Sequence, residues 1–156
     1  MYKINIVCVG KLKEDFYLKA QSEYAKRLQK FCELKIFELP ENYLPQNPSR
    51  AQIESALDSE YNQILPKLRG KVFVCDVEAK QLDSVQFSSQ IIKSFDTNDT
   101  ITFVIGSSYG LSQKIKQSNS LISFSKMTFP HHLMRVLLLE QIYRGFCINS
   151  NTTYHK

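Results

Sequence analysis

The sequence predicts an α/β fold in which a parallel sheet carries helices on both faces. Short runs rich in β-branched residues alternate with segments whose apolar residues recur at helical spacing, in the order βαβαβαβαβα. Parallel neighbours need crossover connections of helical length, so this alternation favours a parallel sheet. The 156 residues contain no linker, repeat or low-complexity tract, which predicts a single domain over 1–156.

The start of the chain predicts two strands with a helix between them. Residues 3–9 (KINIVCV) end at Gly10, which suits a strand that runs into a turn. Apolar residues recur at helical spacing over 14–31, while charged residues occupy the other faces. Residues 34–39 are the second predicted strand, and three prolines between 40 and 48 then exclude regular pairing.

The same alternation continues to the end of the chain. Ser49 and Gln52 have the spacing of a capping box, which predicts a helix that continues to Leu68. The remaining predicted elements are a strand at 71–77, a helix capped by Asp83 and reaching Phe95, a strand at 100–105, a helix capped by Ser112, a strand at 122–125, and a long helix with Pro130 in its first turn that reaches about Ile148.

Sheets of this kind usually bind ligands outside the carboxyl ends of their strands. The loops after Val77, Ile105 and Ser125 are therefore the first candidates for a site. Gly106 and Gly110 flank one loop, where exposed backbone amides could hold a cofactor, although a plain strand-to-helix turn explains them equally well. The pattern is neither G-x-G-x-x-G nor a P-loop, which argues against a Rossmann-type dinucleotide enzyme or an NTPase.

The last predicted helix is apolar on more than one face, unlike a surface helix of a monomer. Its apolar residues are Leu133, Met134, Val136, Leu137, Leu138, Leu139, Ile142, Tyr143, Phe146 and Cys147. Either its own chain buries it as a central helix, or it also supplies a subunit interface. We expect a dimer.

Charge, apolar runs and cysteine content indicate which partners and which cellular compartment the protein has. Twenty Lys and Arg against fifteen Asp and Glu give a charge of +5, so a polyanionic partner is plausible. No apolar run approaches the roughly 20 residues of a membrane span and no signal peptide is evident, which predicts a cytoplasmic protein without membrane contact. The four cysteines form no C-x-x-C pair and are expected to be reduced, mostly buried thiols.

Two histidine features need separate interpretations. His131 and His132 are neighbours on a helix and do not form a chelating face, so we expect no metal; one should pack near the helix start and the other meet solvent or substrate. Judged from composition, residues 154–156 (YHK) resemble a frayed tail.

Glu140 and Arg144 have the spacing of a helical ion pair.

Segments in matching order along the whole chain are similar to one family. They are, with their residues, 9–13 (VGKLK), 23–28 (EYAKRL), 103–106 (FVIG), 109–111 (YGL), 124–135 (FSKMTFPHHLMR), 140–144 (EQIYR) and 154–156 (YHK). On these segments the chain resembles the RlmH family, SPOUT-class methyltransferases of bacterial ribosomes.

The resemblance implies a trefoil knot on the C-terminal side, a homodimer, and S-adenosylmethionine bound in loops of the knot. It also implies the reaction, which is methyl transfer to N3 of a pseudouridine in large-subunit (23S) ribosomal RNA of the assembled ribosome. No metal is implied. Nothing in the periodicity of the sequence indicates a knot.

The resemblance assigns cofactor contacts to loops after three strands. They are Cys75, Gly106, Phe124, Ser125, Lys126, Met127, Thr128 and Phe129. We expect Met127 and Phe129 to be apolar walls around the adenine. The chain departs from the family at Ser107, where a second glycine is common, and at Ala79, where a glycine commonly precedes the lysine. A serine at 107 is compatible only with a backbone that does not require a positive φ.

Methyl transfer requires alignment of the acceptor nitrogen and removal of a weakly acidic proton. The resemblance places His155 nearby as base or substrate positioner, with Tyr154 and Arg144 beside it in the catalytic group. Expected phosphate contacts are Lys11, Lys13, Arg135 and Lys156. If the tail orders only over RNA or across a partner subunit, the active site is composite.

Two other functions use the same features. A SPOUT methyltransferase acting on transfer RNA would have the same pocket and another substrate. A non-catalytic ribosome-binding factor would keep the fold and the basic surface without turnover, and Ser107 is the feature that suggests it.

Overall fold

The computed structural model describes residues 1–156 and has the predicted alternation of strands and helices. The strands are β1 (Tyr2–Val9), β2 (Cys32–Leu39), β3 (Lys71–Cys75), β4 (Thr100–Ile105) and β5 (Ser120–Ile122). The helices are α1 (Asp15–Leu28), α2 (Arg50–Ile64), α3 (Ser84–Ser94), α4 (Gln113–Ser118) and α5 (His131–Asn149). A 3-10 turn at Leu65–Lys67 follows α2. The predicted order of elements is confirmed.

Several element boundaries differ from the predicted ones, most clearly at the ends of α2, β3 and β5. The last helical residue of α2 is Ile64 rather than Leu68, because Pro66 has no N–H to continue the helix and the chain tightens into a 3-10 turn. Strand β5 is earlier than the predicted 122–125, since its pairing with β3 ends where Cys75 faces Ile122. Strand β3 likewise ends at Cys75 rather than Val77. The residues that follow β3 and β5 therefore belong to loops.

The sheet is parallel throughout, in the order β2-β1-β4-β3-β5. Strand β4 is buried along its whole length in the middle of the sheet. Because every strand runs in the same direction, the five carboxyl ends meet at one edge. None of the helices combines the length and the apolar character that crossing a membrane requires.

Helices cover both faces of the sheet, which confirms the predicted fold class. On one face, α1, α3 and α5 enclose the larger core, in which Ile4 and Ile6 of β1 pack with Leu138 and Ile142 of α5. On the other face α2 and α4 enclose a smaller core around Val7 and other apolar residues. The four cysteines are free thiols, and only Cys75 is partly exposed.

Helix α5 lies on the sheet between α1 and α3 and contacts both helices. Its own chain buries Leu138, Leu139, Ile142 and Phe146, so the interpretation as a central helix is correct. Residues on its remaining face, Leu133 and Leu137 among them, are only half-buried, as are neighbouring apolar positions on the same helix.

Capping boxes fix the starts of α2 and α3, as the sequence predicts for α2. The Asp83 carboxylate accepts a hydrogen bond from the Gln86 backbone N–H at 2.7 Å, and the Gln86 side chain accepts one from the Asp83 N–H at 2.9 Å. Ser49 and Gln52 are paired in the same way. Each box satisfies two backbone donors that the helix itself cannot satisfy.

We predict that Asp83→Ala lowers the free energy of unfolding by about 1 kcal/mol, because the Gln86 N–H loses its acceptor. Urea denaturation measures the change. The matched control is Asp96→Ala, which removes an exposed carboxylate just beyond the other end of α3. Equal unfolding midpoints for the two variants would show that the cap contributes no stability.

Candidate functional site

A cavity of about 940 Å³ opens at the carboxyl ends of β3, β4 and β5, at the edge of the sheet where the sequence predicts a site. Three loops and the start of α5 form its walls. Seven of the eight residues expected to contact a cofactor line it, namely Cys75, Gly106, Phe124, Ser125, Met127, Thr128 and Phe129. Lys126 does not line the cavity; its side chain is exposed on the same loop.

Gly106 allows two parts of the β4–α4 loop to touch. A Cβ atom at this position would lie 2.3 Å from the carbonyl oxygen of Gly110 and 2.7 Å from Leu111 Cγ. The Gly110 N–H donates to the Ser107 carbonyl at 2.9 Å and closes the turn. Gly110 has a φ of +86°, whereas Ser107 has no positive φ. The departure at Ser107 therefore fits an ordinary backbone conformation.

Two serines shape the β5–α5 loop. The Ser123 hydroxyl is buried and lies 2.9 Å from the Ser125 carbonyl, to which it donates. The Ser125 hydroxyl in turn accepts from the Met127 N–H at 3.0 Å. These bonds bend the chain away from β5 and leave Met127 73% exposed at the mouth of the cavity. An exposed apolar side chain at a cavity mouth is well placed to cover a bound ligand.

Three charged residues, Asp76, Glu78 and Lys116, line the cavity. Asp76 Oδ2 lies 3.5 Å from Lys116 Nζ, and both side chains are largely buried. Burial raises the pKa of the Cys75 thiol to about 12, so it is protonated at neutral pH and is not a nucleophile. Nowhere in the chain do three or more His, Cys, Asp or Glu residues approach closely enough to hold a metal ion.

The adjacent histidines at the start of α5 have different surroundings. His131 lines the cavity, and its buried Nε2 has no hydrogen-bond partner. Burial and the neighbouring His132 lower the pKa of His131, which favours the neutral ring. His132 Nδ1 lies 3.2 Å from Glu14 Oε2.

Arg135 corrects one expectation, since it is not available as a phosphate contact. It is 1% exposed, and its guanidinium donates to Glu38 Oε2 at 2.6 Å and to the Gly10 carbonyl at 3.1 Å. Burial opposes ionisation of Glu38, but the hydrogen bonds from Arg135 and the Leu12 N–H outweigh it and hold the pKa of Glu38 below its usual range. Arg135 is a structural cation.

Lys11, Lys13 and Lys156 remain exposed, as phosphate contacts must be. Lys11 and Lys13 follow Gly10, whose Cα lies beside the His131 ring close to the cavity. Lys156 belongs to the C-terminal tail.

The C-terminal tail packs on the second half of α5. Arg144 donates to Glu140 Oε1 from Nε at 2.9 Å and from Nη2 at 2.6 Å, which confirms the predicted ion pair. The Tyr154 hydroxyl donates to the same oxygen at 3.1 Å, and the Arg144 guanidinium lies over the Tyr154 ring. Arg144 Nη1 is 3.3 Å from His155 Nδ1. The three residues expected to form a catalytic group therefore do meet, around Glu140.

The protonation states in this tail cluster follow from its donors. Burial, together with the hydrogen bond to Glu140, raises the pKa of Tyr154 to about 12, so the phenol stays protonated. Because a guanidinium can only donate, the contact between Arg144 Nη1 and His155 Nδ1 is a hydrogen bond in the tautomer whose Nδ1 accepts. In that tautomer the ring proton is on Nε2.

The cavity and the tail cluster are separate within one chain. Met134 lines the cavity, and Arg144 lies ten residues later on α5, about 15 Å along the helix axis. No residue of the tail lines the cavity. The structure thus brings the expected cofactor residues together and the expected catalytic residues together, but in two places.

Sequence reasoning missed several residues of the cavity. Asp76 and Lys116 are forty positions apart, and no spacing rule connects them. Asp76 follows β3 directly, so the rule that sites lie at carboxyl ends of strands was the one signal that could have found it. Ser108 and Tyr109 lie between the two glycines already singled out.

A comparison with protein families identifies the class. A family model described as "Predicted SPOUT methyltransferase" matches residues 2–155, nearly the whole chain. The chain belongs to the SPOUT methyltransferase family. A structure of a probable methylase family protein from Haemophilus influenzae Rd KW20 has a similar fold, with a TM-score of 0.55 and 11% identity, over 98% of this chain and 70% of that one.

Similar curated proteins carry a more specific name. Ribosomal RNA large subunit methyltransferase H of Lactobacillus acidophilus is 45% identical over 98% of this chain and 99% of its own length. The putative ribosomal RNA large subunit methyltransferase H of Methanococcus vannielii is 46% identical with the same coverage. The resemblance found in the sequence is confirmed by these relatives.

We predict that Gly106→Ala lowers the free energy of unfolding by about 1–3 kcal/mol, because the new methyl group would overlap the Gly110 carbonyl. Urea denaturation measures the loss. Gly145→Ala is the matched control, since a Cβ there first meets Ser88 Cα at 3.4 Å and the position is helical. Equal stability of the two variants would contradict the close approach at Gly106.

Proposed function

We propose that this protein is a methyltransferase of the large-subunit ribosomal RNA that uses S-adenosylmethionine and methylates N3 of a pseudouridine in the assembled ribosome, in the cytoplasm. The observation that carries the proposal is the cavity at the carboxyl ends of β3, β4 and β5, in a chain with full-length relatives named as ribosomal RNA methyltransferases. The knot and the homodimer are parts of the same proposal.

The residues of the cavity fit S-adenosylmethionine. A volume of about 940 Å³ lies within the range of small-molecule and cofactor sites. Backbone groups of the turn from Gly106 to Gly110 and the half-buried rings of Phe124 and Phe129 suit a flat, weakly polar adenine. When bound, S-adenosylmethionine supplies an electrophilic methyl group on sulfur.

The tail cluster supports substrate orientation more than proton removal. In the tautomer whose Nδ1 accepts from Arg144, the Nε2–H of His155 is a donor and not a base. A donor placed against a carbonyl oxygen of the pyrimidine would stabilise the imidate that forms when N3 loses its proton. Of the two roles expected for His155, we favour substrate positioner. Tyr154 and Glu140 fix the tail on α5.

We further propose that the tail of one protomer completes the cavity of its partner. Methyl transfer requires direct contact between donor and acceptor, and roughly 15 Å separate Met134 from Arg144 along α5. A second copy of the chain can bring a tail to the cavity by a symmetric contact. Phe16 of α1 is 65% exposed, and Leu133 and Leu137 of α5 are only half-buried; apolar side chains of this kind suit such an interface.

The reaction is tested with ribosomes from a strain that lacks the modification. We predict that purified protein and labelled S-adenosylmethionine place label in N3-methylpseudouridine of the large-subunit RNA, identified by mass spectrometry of the digested RNA. A relative of established activity on the same ribosomes is the positive control. Label in free transfer RNA instead would favour the transfer RNA alternative, and cofactor binding without label would favour a non-catalytic ribosome-binding factor.

The composite site is tested by mixing two variants. We predict that Ser108→Trp, which fills the cavity, and His155→Ala, which removes the tail donor, are each inactive as pure dimers. After subunit exchange at equal amounts, about half of the dimers are mixed and one of their two sites is intact, so about one quarter of wild-type activity should return.

The control for this experiment mixes Ser108→Trp with the double variant Ser108→Trp/His155→Ala, which leaves no intact site in any dimer. Failure of the first mixture to regain activity, with mixed dimers verified by mass spectrometry, would contradict sharing of the site. Unchanged turnover in His155→Ala alone would remove that residue from the reaction.

A further inference from the structure

A second concave surface lies on the α2 side of the sheet, at the opposite end from the cavity. Helix α2 and its 3-10 turn cover the part of this face nearer the carboxyl ends, where Val7 and Val9 of β1 are buried. Nearer the amino ends the face is open and forms a groove of about 350 Å³. The groove is lined by Lys3, Asn5, Glu33, Lys35, Phe37, Pro66, Lys67, Arg69 and Thr100.

The groove is strongly cationic. Four of its nine residues are Lys or Arg and one is Glu, so it carries +3 of formal charge (4 − 1) in a protein whose whole charge is +5. Lys3 and Lys35 have acidic neighbours, Asp99 at 3.8 Å and Glu33 at 3.1 Å, on exposed side chains. Lys67 and Arg69 form no ion pair with any carboxylate.

Local contacts hold the two unpaired cations at the rim. Arg69 Nη1 donates to the carbonyls of Pro66 and Leu68, and its backbone N–H and C=O both bond to the Thr102 hydroxyl. Lys67 Nζ lies 5.2 Å from the centre of the Phe37 ring. Fixed cations lose less conformational entropy when they bind an anion than freely rotating ones do.

We propose that this groove binds the phosphate backbone of RNA as a second contact surface, remote from the methylated base. The inference rests on the proposed function, which supplies RNA as the partner, and on charge complementarity between four cations and phosphodiesters. Lys3 and Val9 are six residues apart on β1, so about 20 Å separates the groove from the carboxyl edge that holds the cavity. The phosphates that the groove binds therefore belong to nucleotides outside the active site.

Such a contact changes binding of the ribosome and leaves the chemical step intact. The test is Lys35→Gln/Lys67→Gln, compared with wild type for ribosome binding as a function of salt and for kcat and KM of methylation. The matched control is Lys19→Gln/Lys26→Gln, which removes the same charge from exposed positions of α1 on the other face of the sheet. Cofactor affinity, measured calorimetrically, should be unchanged in both variants.

We expect the slope of log K against log salt to fall by about 1.5 in the groove variant, since each lost phosphate contact removes about 0.7–0.9. KM should rise at least about threefold with kcat unchanged, and the control should match wild type. Equal effects of the two variants on the salt slope, or an unchanged slope in the groove variant, would overturn the proposal that the groove binds RNA.

The two proposals fail in different ways. Wild-type protein that binds ribosomes without methylating them contradicts the proposed reaction, while the difference in salt slope between the variants still decides the groove. Wild-type protein that does not bind ribosomes overturns both.

Discussion

The geometry of the site depends on one buried cation. Arg135 joins the first turns of α5 to the end of β1 through Gly10 and to β2 through Glu38, at the edge of the sheet where the cavity opens. This attachment fixes where α5 starts, and therefore where His131 stands in the cavity wall. A buried charge is stable only when it is paired and hydrogen-bonded, so the loop after β1 and the helix are positioned together or not at all.

The length of α5 determines how far the tail cluster lies from the cavity. Helix α5 begins at the cavity and lies on the sheet between α1 and α3. The tail cluster packs around Glu140, in the second half of the helix and away from the cavity. A rigid helix cannot fold back, so within one chain the cavity and the tail cluster lie in separate places. The proposed dimer would bring the tail of one chain to the cavity of the other, and it would cover the half-buried apolar side chains that α5 leaves on its outer face.

Local rules predicted the features that local physics controls. Periodicity predicts the order of the elements, and cap chemistry predicts where α2 and α3 start. The parallel sheet predicts a cavity at the carboxyl ends of its strands. Features that depend on distant contacts were not predictable from spacing. The sequence predicts a surface cation at Arg135 because its partner Glu38 is 97 positions away. It predicts β5 too late because pairing with β3 decides where that strand ends. The charge of the amino-end groove is likewise spread over several separate segments.

The loops after β3, β4 and β5 are proposed to form the cofactor site, and hydrogen–deuterium exchange with and without S-adenosylmethionine can examine them. We expect backbone amides at 106–110 and 123–129 to exchange more slowly when the cofactor is added. Amides at the amino ends of the strands, including those around Lys35 and Arg69, should be unaffected. Protection confined to the amino ends, or no protection under conditions where binding is saturated, would contradict the assignment of the cavity.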